Sequence, residues 1–194
     1  KLYYYAKRAR FNELKAQQDI SVEIAALFIF LNRTCFNGLY RVNSKGSYNV
    51  PMGSYKKPTI CDAENLKAIS ARLKDVKIIC GGYQQSRNFI DSMTFAYFDP
   101  PYRPLSTTSS FTGYTQDGFG DKEQTELAQF IDYLSDKGAF VIASNSDPKN
   151  TNTDDDFFDI LYQKHTISRI SANRMINSYA DGRGKINELL IASY

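Results

Sequence analysis

Between Ile20 and Leu31 the chain is almost wholly apolar. Ile20, Ile24, Leu27, Phe28 and Leu31 recur at helical spacing, which predicts a buried helix. Residues 32–60 differ in kind. They are rich in Asn, Gly, Ser, Tyr and basic residues, and Asn43-Ser44-Lys45-Gly46-Ser47 reads as the turn of a hairpin. Asp62 is placed to cap a helix whose face is Leu66, Ile69 and Leu73. From residue 76 onward short apolar runs alternate with helical patterns. Val76–Cys80 reads as a strand ending at Gly81-Gly82, and Thr94–Phe98 as a second ending at Asp99. Asp121 and Gln124 resemble a capping box before Leu127, Phe130, Ile131 and Leu134, and Gly138 closes that helix. Ala139–Ser144 reads as a third strand and residues 154–162 as a short helix. His165–Ala172 and Ile186–Tyr194 read as two final strands joined by a polar loop. Such alternation predicts an α/β sheet, whose ligands sit outside the carboxyl ends of its strands.

Composition narrows the function. At 194 residues, 42% hydrophobic and 23% charged, the chain is long enough for one domain, or one with an inserted subdomain. No apolar run reaches membrane-spanning length, and no secretory signal heads the chain. It does not begin with Met, so a natural start upstream is expected. His165 is the one histidine, which excludes a multi-His metal site. Cys35, Cys61 and Cys80 form no CxxC pair, so no metal is expected, and unclustered cysteines fit a reducing cytoplasm. Residues 1–62 hold ten basic and four acidic side chains, while residues 63–194 hold fourteen and seventeen. A basic segment joined to a mildly acidic one points to a polyanion as the partner of the first part.

The sharpest chemical signal is Phe95-Ala96-Tyr97-Phe98-Asp99-Pro100-Pro101-Tyr102. An apolar strand delivers a carboxylate, two prolines and an aromatic. The prolines fix φ and donate no N–H, so the loop is stiff and its carbonyls are free to accept. Asp99 and the Pro100 carbonyl then form two acceptors at one point, with Tyr102 as a flat face nearby. That set suits an exocyclic NH2 on a stacked aromatic base.

Asp-Pro-Pro-Tyr after such a strand resembles the catalytic motif of amino-group DNA methyltransferases. The likeness continues through Leu31-Asn32-Arg33, Phe36-Asn37-Gly38-Leu39-Tyr40-Arg41 and Asn49-Val50-Pro51-Met52-Gly53, which resemble the target-recognition region of Dam-type (D12 class) adenine-N6 methyltransferases. Leu105-Ser106 with Phe111-Thr112, Ile142-Ala143-Ser144-Asn145 and Asn187-Glu188-Leu189-Leu190 follow in the family's order. The resemblance implies a Rossmann-like class I methyltransferase sheet, here strands 3 to 7 of a seven-stranded 3-2-1-4-5-7-6 order. An inserted, mostly helical target-recognition domain with a β-hairpin would occupy residues 1–62, and the catalytic part residues 63–194. It implies S-adenosylmethionine as methyl donor, no metal, and duplex DNA with a flipped adenine as substrate. It also implies a prokaryotic or phage cytoplasm, and a cognate restriction endonuclease as a counterpart with no direct contact.

By the same resemblance, Asp99, Pro100, Pro101 and Tyr102 are catalytic, and Asp99, Tyr83 and Gly82 touch the cofactor. Arg41 is the guanine reader, because its fork matches O6 and N7. Leu39 and Pro51 contact thymine methyls or pyrimidine edges. Phe36, with Asn37 beside it, fills the space left by the flipped base. Arg33 and Arg8 contact phosphates, and Ser106 belongs to a loop that orders on DNA. The set is nearest to members that read GATC.

Two family features are absent from these residues: a Gly-rich cofactor loop on the first strand and an acidic residue after the second. Gly81-Gly82 lies after the recognition region and is no substitute. Poor cofactor binding by these 194 residues alone is therefore expected, with an N-terminal segment or another chain completing the sheet. The alternative is a catalytically inactive, truncated DNA-binding remnant. A methyltransferase of cytosine N4 or RNA is the third reading, disfavoured because Asp at position 99 fits adenine.

Overall fold

The computed structural model describes residues 1–104, 119–173 and 185–194. The chain divides into two compact units, Lys1–Ile79 and Cys80–Tyr194.

In the first unit, α1 (Leu2–Ala16) and α2 (Val22–Thr34) pack around Tyr4, Phe11, Leu14, Leu27, Leu31, Cys35, Tyr48 and Val50. The apolar pattern predicts a helix over Ile20–Leu31, and α2 largely fills that span. It begins after Ile20, however, and is buried on one face only: Ile20, Val22 and Phe28 are exposed. α1 lies where the hydrophobic pattern predicted no element, because its core face is only Tyr4, Phe11 and Leu14 among many polar residues.

A second face of α1 carries the hairpin. Arg8, Asn12 and Lys15 follow one another at intervals of four and three, so they line one side of the helix. Arg8 Nη1 donates to the Asn49 and Val50 carbonyls at 3.2 and 3.1 Å. Asn12 exchanges two bonds with the Tyr48 backbone, and Lys15 Nζ donates to the Gly46 carbonyl at 2.7 Å. The predicted turn is present. Asn43 Oδ1 accepts from the Lys45 and Ser47 amides, and Val42 bridges Tyr48 antiparallel. Asp62 caps α3 (Ala63–Arg72) through the Asn65 amide, as its position predicts. No residue of α3 is buried.

Val76–Cys80 is not a strand. Among the described residues it joins no ladder, and Val76, Ile78 and Ile79 are exposed. A strand needs a neighbour to take its N–H and C=O groups, and apolar composition alone provides none.

In the second unit four strands are present among the described residues: β1 (Phe95–Phe98), β2 (Phe140–Ser146), β3 (Thr166–Asn173) and β4 (Lys185–Ala192). Their order is β1-β2-β4-β3. β1 and β2 run parallel in register Phe98↔Ala143, and the other pairings are antiparallel. α4 (Asp121–Asp136) follows β1 in the chain, and α5 (Phe157–Leu161) follows β2. Leu127, Phe130, Ile131 and Leu134 of α4 share one core with Val141, Ala143, Phe158, Tyr162, Leu189 and Ile191. The capping arrangement of α4 differs from the pattern prediction by one residue. Gly120 is the N-cap, and its amide donates to Glu123 Oε2 at 2.8 Å. Gly138, at φ +85, turns the chain out of α4 into β2.

Candidate active site

The parallel pairing of β1 and β2 sets their carboxyl ends side by side, and Asp99 follows β1 directly. Its side chain is exposed, and Oδ1 accepts from Ser144 Oγ at 3.1 Å. Among the described residues no cation pairs with Asp99. Ser144 Oγ in turn accepts from the Tyr97 hydroxyl at 3.0 Å. The Tyr102 ring stands beside them. Burial holds its phenol above the usual range, Glu188, Asp99 and Tyr97 add to that rise, and the neighbouring Ser144 hydroxyl opposes it.

The turn after Asp99 is anchored from below. Asn145 and Gln124 are both buried and bonded to each other, Asn145 Nδ2 donating to Gln124 Oε1 at 3.0 Å. Gln124 Nε2 donates to the Pro101 carbonyl at 2.9 Å, and Asn145 Oδ1 accepts from the Arg103 amide at 3.0 Å. Ser146 Oγ donates to the Arg103 carbonyl at 2.6 Å. The Arg103 side chain closes the clamp. It forks onto both oxygens of Asp121, reaches Asp155 at 2.8 Å, and lies 4.4 Å from the Phe157 ring centre. Arg103 holds the Asp155 carboxyl below its ordinary range. Among the described residues no hydrogen bond engages the Pro100 carbonyl. The turn therefore fixes its later peptides internally and leaves Asp99 and Pro100 as open acceptors.

Not every residue at these strand ends faces outward. Asp147 is buried, where it pairs with Arg169 at 3.0 Å and accepts from the Lys149 amide. Tyr83 packs its ring against Phe98 and Phe130, while Gly82 beside it is exposed. Ser106 and the 107–114 stretch lie outside the described residues. The sequence places Ser144 and Asn145 in the Ile142–Asn145 run and Gln124 in a helix cap, but assigns none of them a role at the turn. The signal that could have found Ser144 is the register, because Asp99 and Ser144 each follow a residue of the paired Phe98 and Ala143.

The first unit gathers most of the residues expected to read DNA. Phe36, Asn37, Leu39, Arg41, Pro51 and Arg33 are all exposed. The Phe36 amide donates to the Pro51 carbonyl at 2.9 Å, and Cys35 bridges Met52, so loop and hairpin form one surface. Asn37 sits at φ +53 with Gly38 at +62, and Asn32 Nδ2 holds the Gly38 carbonyl at 2.7 Å. Asparagine tolerates that left-handed backbone better than most residues. Arg41 Nε donates to Asn49 Oδ1 at 2.8 Å. Arg8 is half-buried and donates to the hairpin carbonyls.

Among the described residues no group of His, Cys, Asp and Glu is arranged to hold a metal ion, and no helix is long and apolar enough to cross a membrane.

A four-stranded mixed sheet with an open carboxylate at a parallel strand end agrees with the family match. The chain belongs to the D12 class N6 adenine-specific DNA methyltransferases, whose family model matches residues 1–176. It is 48% identical over 195 residues to the type II methyltransferase M.MjaIII of Methanocaldococcus jannaschii, covering 100% of this chain and 65% of that protein. It is 38% identical over 196 residues to the type II methyltransferase M1.LlaDCHI of Lactococcus lactis subsp. cremoris, covering 100% and 66%. A DNA adenine methylase of Vibrio cholerae is 36% identical over 188 residues, covering 96% and 64%. The chain thus spans just under two thirds of the length of these curated relatives.

Proposed function

We propose that this chain carries the target-reading and amine-activating parts of a site-specific DNA methyltransferase acting on adenine N6. The observation that carries the reading is the pair of acceptors, the exposed Asp99 carboxylate and the Pro100 carbonyl, which no hydrogen bond engages among the described residues, on a clamped turn. The lone pair of adenine N6 is delocalised into its ring. When both N–H groups donate, to Asp99 and to Pro100, nitrogen pyramidalises and the pair localises. Positive charge then develops on N6, and the Asp99 carboxylate stabilises it. N6 gains a methyl group and loses one proton, for which Asp99 is the acceptor at hand. The target base leaves the duplex to reach this turn and stacks on Tyr102. S-adenosylmethionine would supply the methyl group: its sulfonium–methyl bond breaks as the N6–methyl bond forms, and the electron pair stays on sulfur as a neutral thioether. The exposed Asp99 carboxylate also fits the amino group of that donor, with Gly82 and Tyr83 as further contacts.

The fold reading is a class I methyltransferase sheet. Its expected 4-5-7-6 run corresponds to the observed β1-β2-β4-β3 order, with β1 as strand four. Residues 1–62 read DNA and residues 63–194 hold the transfer chemistry. Arg41 reads a guanine, and Phe36, Asn37, Leu39 and Pro51 line the same surface. Arg33 and Arg8 contact phosphates. GATC is the target that this residue set favours.

The test incubates the complete natural chain with labelled S-adenosylmethionine and either a GATC duplex or one with the site scrambled, beside an Asp99→Ala variant. Label is expected in the adenine of GATC only, and only with Asp99 present. Equal labelling by the variant would remove Asp99 from its role, and equal labelling of both duplexes would remove the target. Specific binding without labelling would favour the inactive DNA-binding remnant.

A further inference from the structure

We infer that Ser144, held in turn by Tyr97, is the positioning residue that sets the orientation of the Asp99 carboxylate for amine activation. The inference rests on the proposed role of Asp99 and adds the groups that aim it.

A hydroxyl has one proton to donate and two lone pairs to accept with. Ser144 directs its proton to Asp99 Oδ1 and accepts from the Tyr97 hydroxyl, so the donor direction along Tyr97–Ser144–Asp99 is fixed. Ser144 is buried, whereas the carboxylate it holds is exposed. A bare aspartate at a strand end would rotate about its two side-chain torsions. Pinning one oxygen removes that freedom and leaves Oδ2 for the substrate. The backbone enforces the same arrangement. Phe98 and Ala143 are paired across the parallel ladder, so Asp99, the first residue beyond β1, comes next to Ser144, which β2 still holds by its pairing with Leu190 of β4. Tyr97, two positions before Asp99 on β1, is placed to reach Ser144 across the same ladder. Ser144 touches no substrate in this scheme and acts through Asp99 alone. Well-aligned acceptors contribute to rate through geometry, and small misplacements are costly.

The experiment measures steady-state methylation of duplex DNA by the complete natural chain and by Ser144→Ala, Ser144→Thr, Tyr97→Phe and Asp99→Asn variants, with thermal melting of each. Ser144→Ala is expected to lower kcat about ten-fold or more while KM for DNA stays within about two-fold, because aim and not binding is lost. Ser144→Thr, which keeps the hydroxyl, is expected to recover most of the rate. Tyr97→Phe is expected to fall between wild type and Ser144→Ala. If Ser144→Ala does not fold, Tyr97→Phe and Ser144→Thr decide. Loss in the first with recovery in the second supports the assignment, and a full rate in Tyr97→Phe overturns it. Wild-type kcat in Ser144→Ala overturns it, and so does equal loss in the alanine and threonine variants. Asp99→Asn separates the two levels. If it methylates at the wild-type rate, the proposed role of Asp99 fails. If it is inactive while Ser144→Ala is fully active, only the positioning role fails.

Discussion

Asn49 and Arg41 face each other across the hairpin and are bonded twice. The Asn49 amide donates to the Arg41 carbonyl at 3.1 Å, and Arg41 Nε donates to Asn49 Oδ1 at 2.8 Å. Arg8 fixes the Asn49 carbonyl from beneath. With Nε occupied, the two terminal nitrogens of Arg41 form the edge left for a base, and that edge suits guanine O6 and N7. Asn49→Ala is therefore expected to reduce discrimination against a substituted guanine by about ten-fold, and Arg41→Ala by more. Asn49→Asp, which keeps the acceptor, is expected to retain it. Competition binding with single-base-substituted duplexes measures all three. Unchanged discrimination in Asn49→Ala would leave Arg41 oriented by other means.

Tyr102 stands beside Asp99 with its ring half-exposed. Stacking on a flipped base predicts that Tyr102→Ala loses about ten-fold or more in kcat/KM, while Tyr102→Phe keeps most of the activity. Equal losses in both variants would assign the effect to the hydroxyl instead of the ring.

Gln124 and Asn145 form a buried hydrogen-bonded pair. Gln124→Leu leaves the buried Asn145 Nδ2 without its partner, at a cost of about 1–3 kcal/mol, and removes the bond that holds the more exposed Pro101 carbonyl. A lower urea midpoint is expected, together with lower kcat as the turn loosens. A variant as stable as wild type would show that the turn is held elsewhere.

Asp155 titrates below its ordinary range because Arg103 hydrogen-bonds to its charged form. A depressed folded value means that the added stability is fully present above the ordinary carboxylate range. It is lost as pH falls through the depressed value. Asp155→Asn is thus expected to melt below wild type at neutral pH, with the gap closing below about pH 4. A gap independent of pH would mean that the loss is steric. Melting temperatures at neutral, mildly acidic and strongly acidic pH make the comparison.

Much of the second unit was legible because its apolar positions follow one period at a time. β1, β2, α4 and the final pair of strands lie within a few residues of where the pattern predicts them. Val76–Cys80 carries the same apolar signal as β1 but joins no ladder among the described residues, and strand formation depends on a neighbouring strand. α1 was illegible for the opposite reason. Arg8, Asn12 and Lys15 form a polar face whose use, holding a hairpin more than thirty residues away, leaves no trace in local periodicity. The Asp99 motif was readable because prolines constrain the backbone locally. Ser144 and Asn145 were visible as part of a motif and Gln124 as a capping candidate, but what they do at the turn depends on tertiary bonds that local sequence does not show.

β4 lies between β2 and β3, although it follows both in the chain. As the polypeptide leaves the ribosome, β3 emerges before β4, its ladder partner among the described residues, has been made. β2 meanwhile waits with one side open. The ladders that join β2 to β3 both run through residues 185–192, so the sheet behind Ser144 and Asp99 is complete only once that stretch is made, and a stall in translation before it leaves the facing flanks of β2 and β3 without β4.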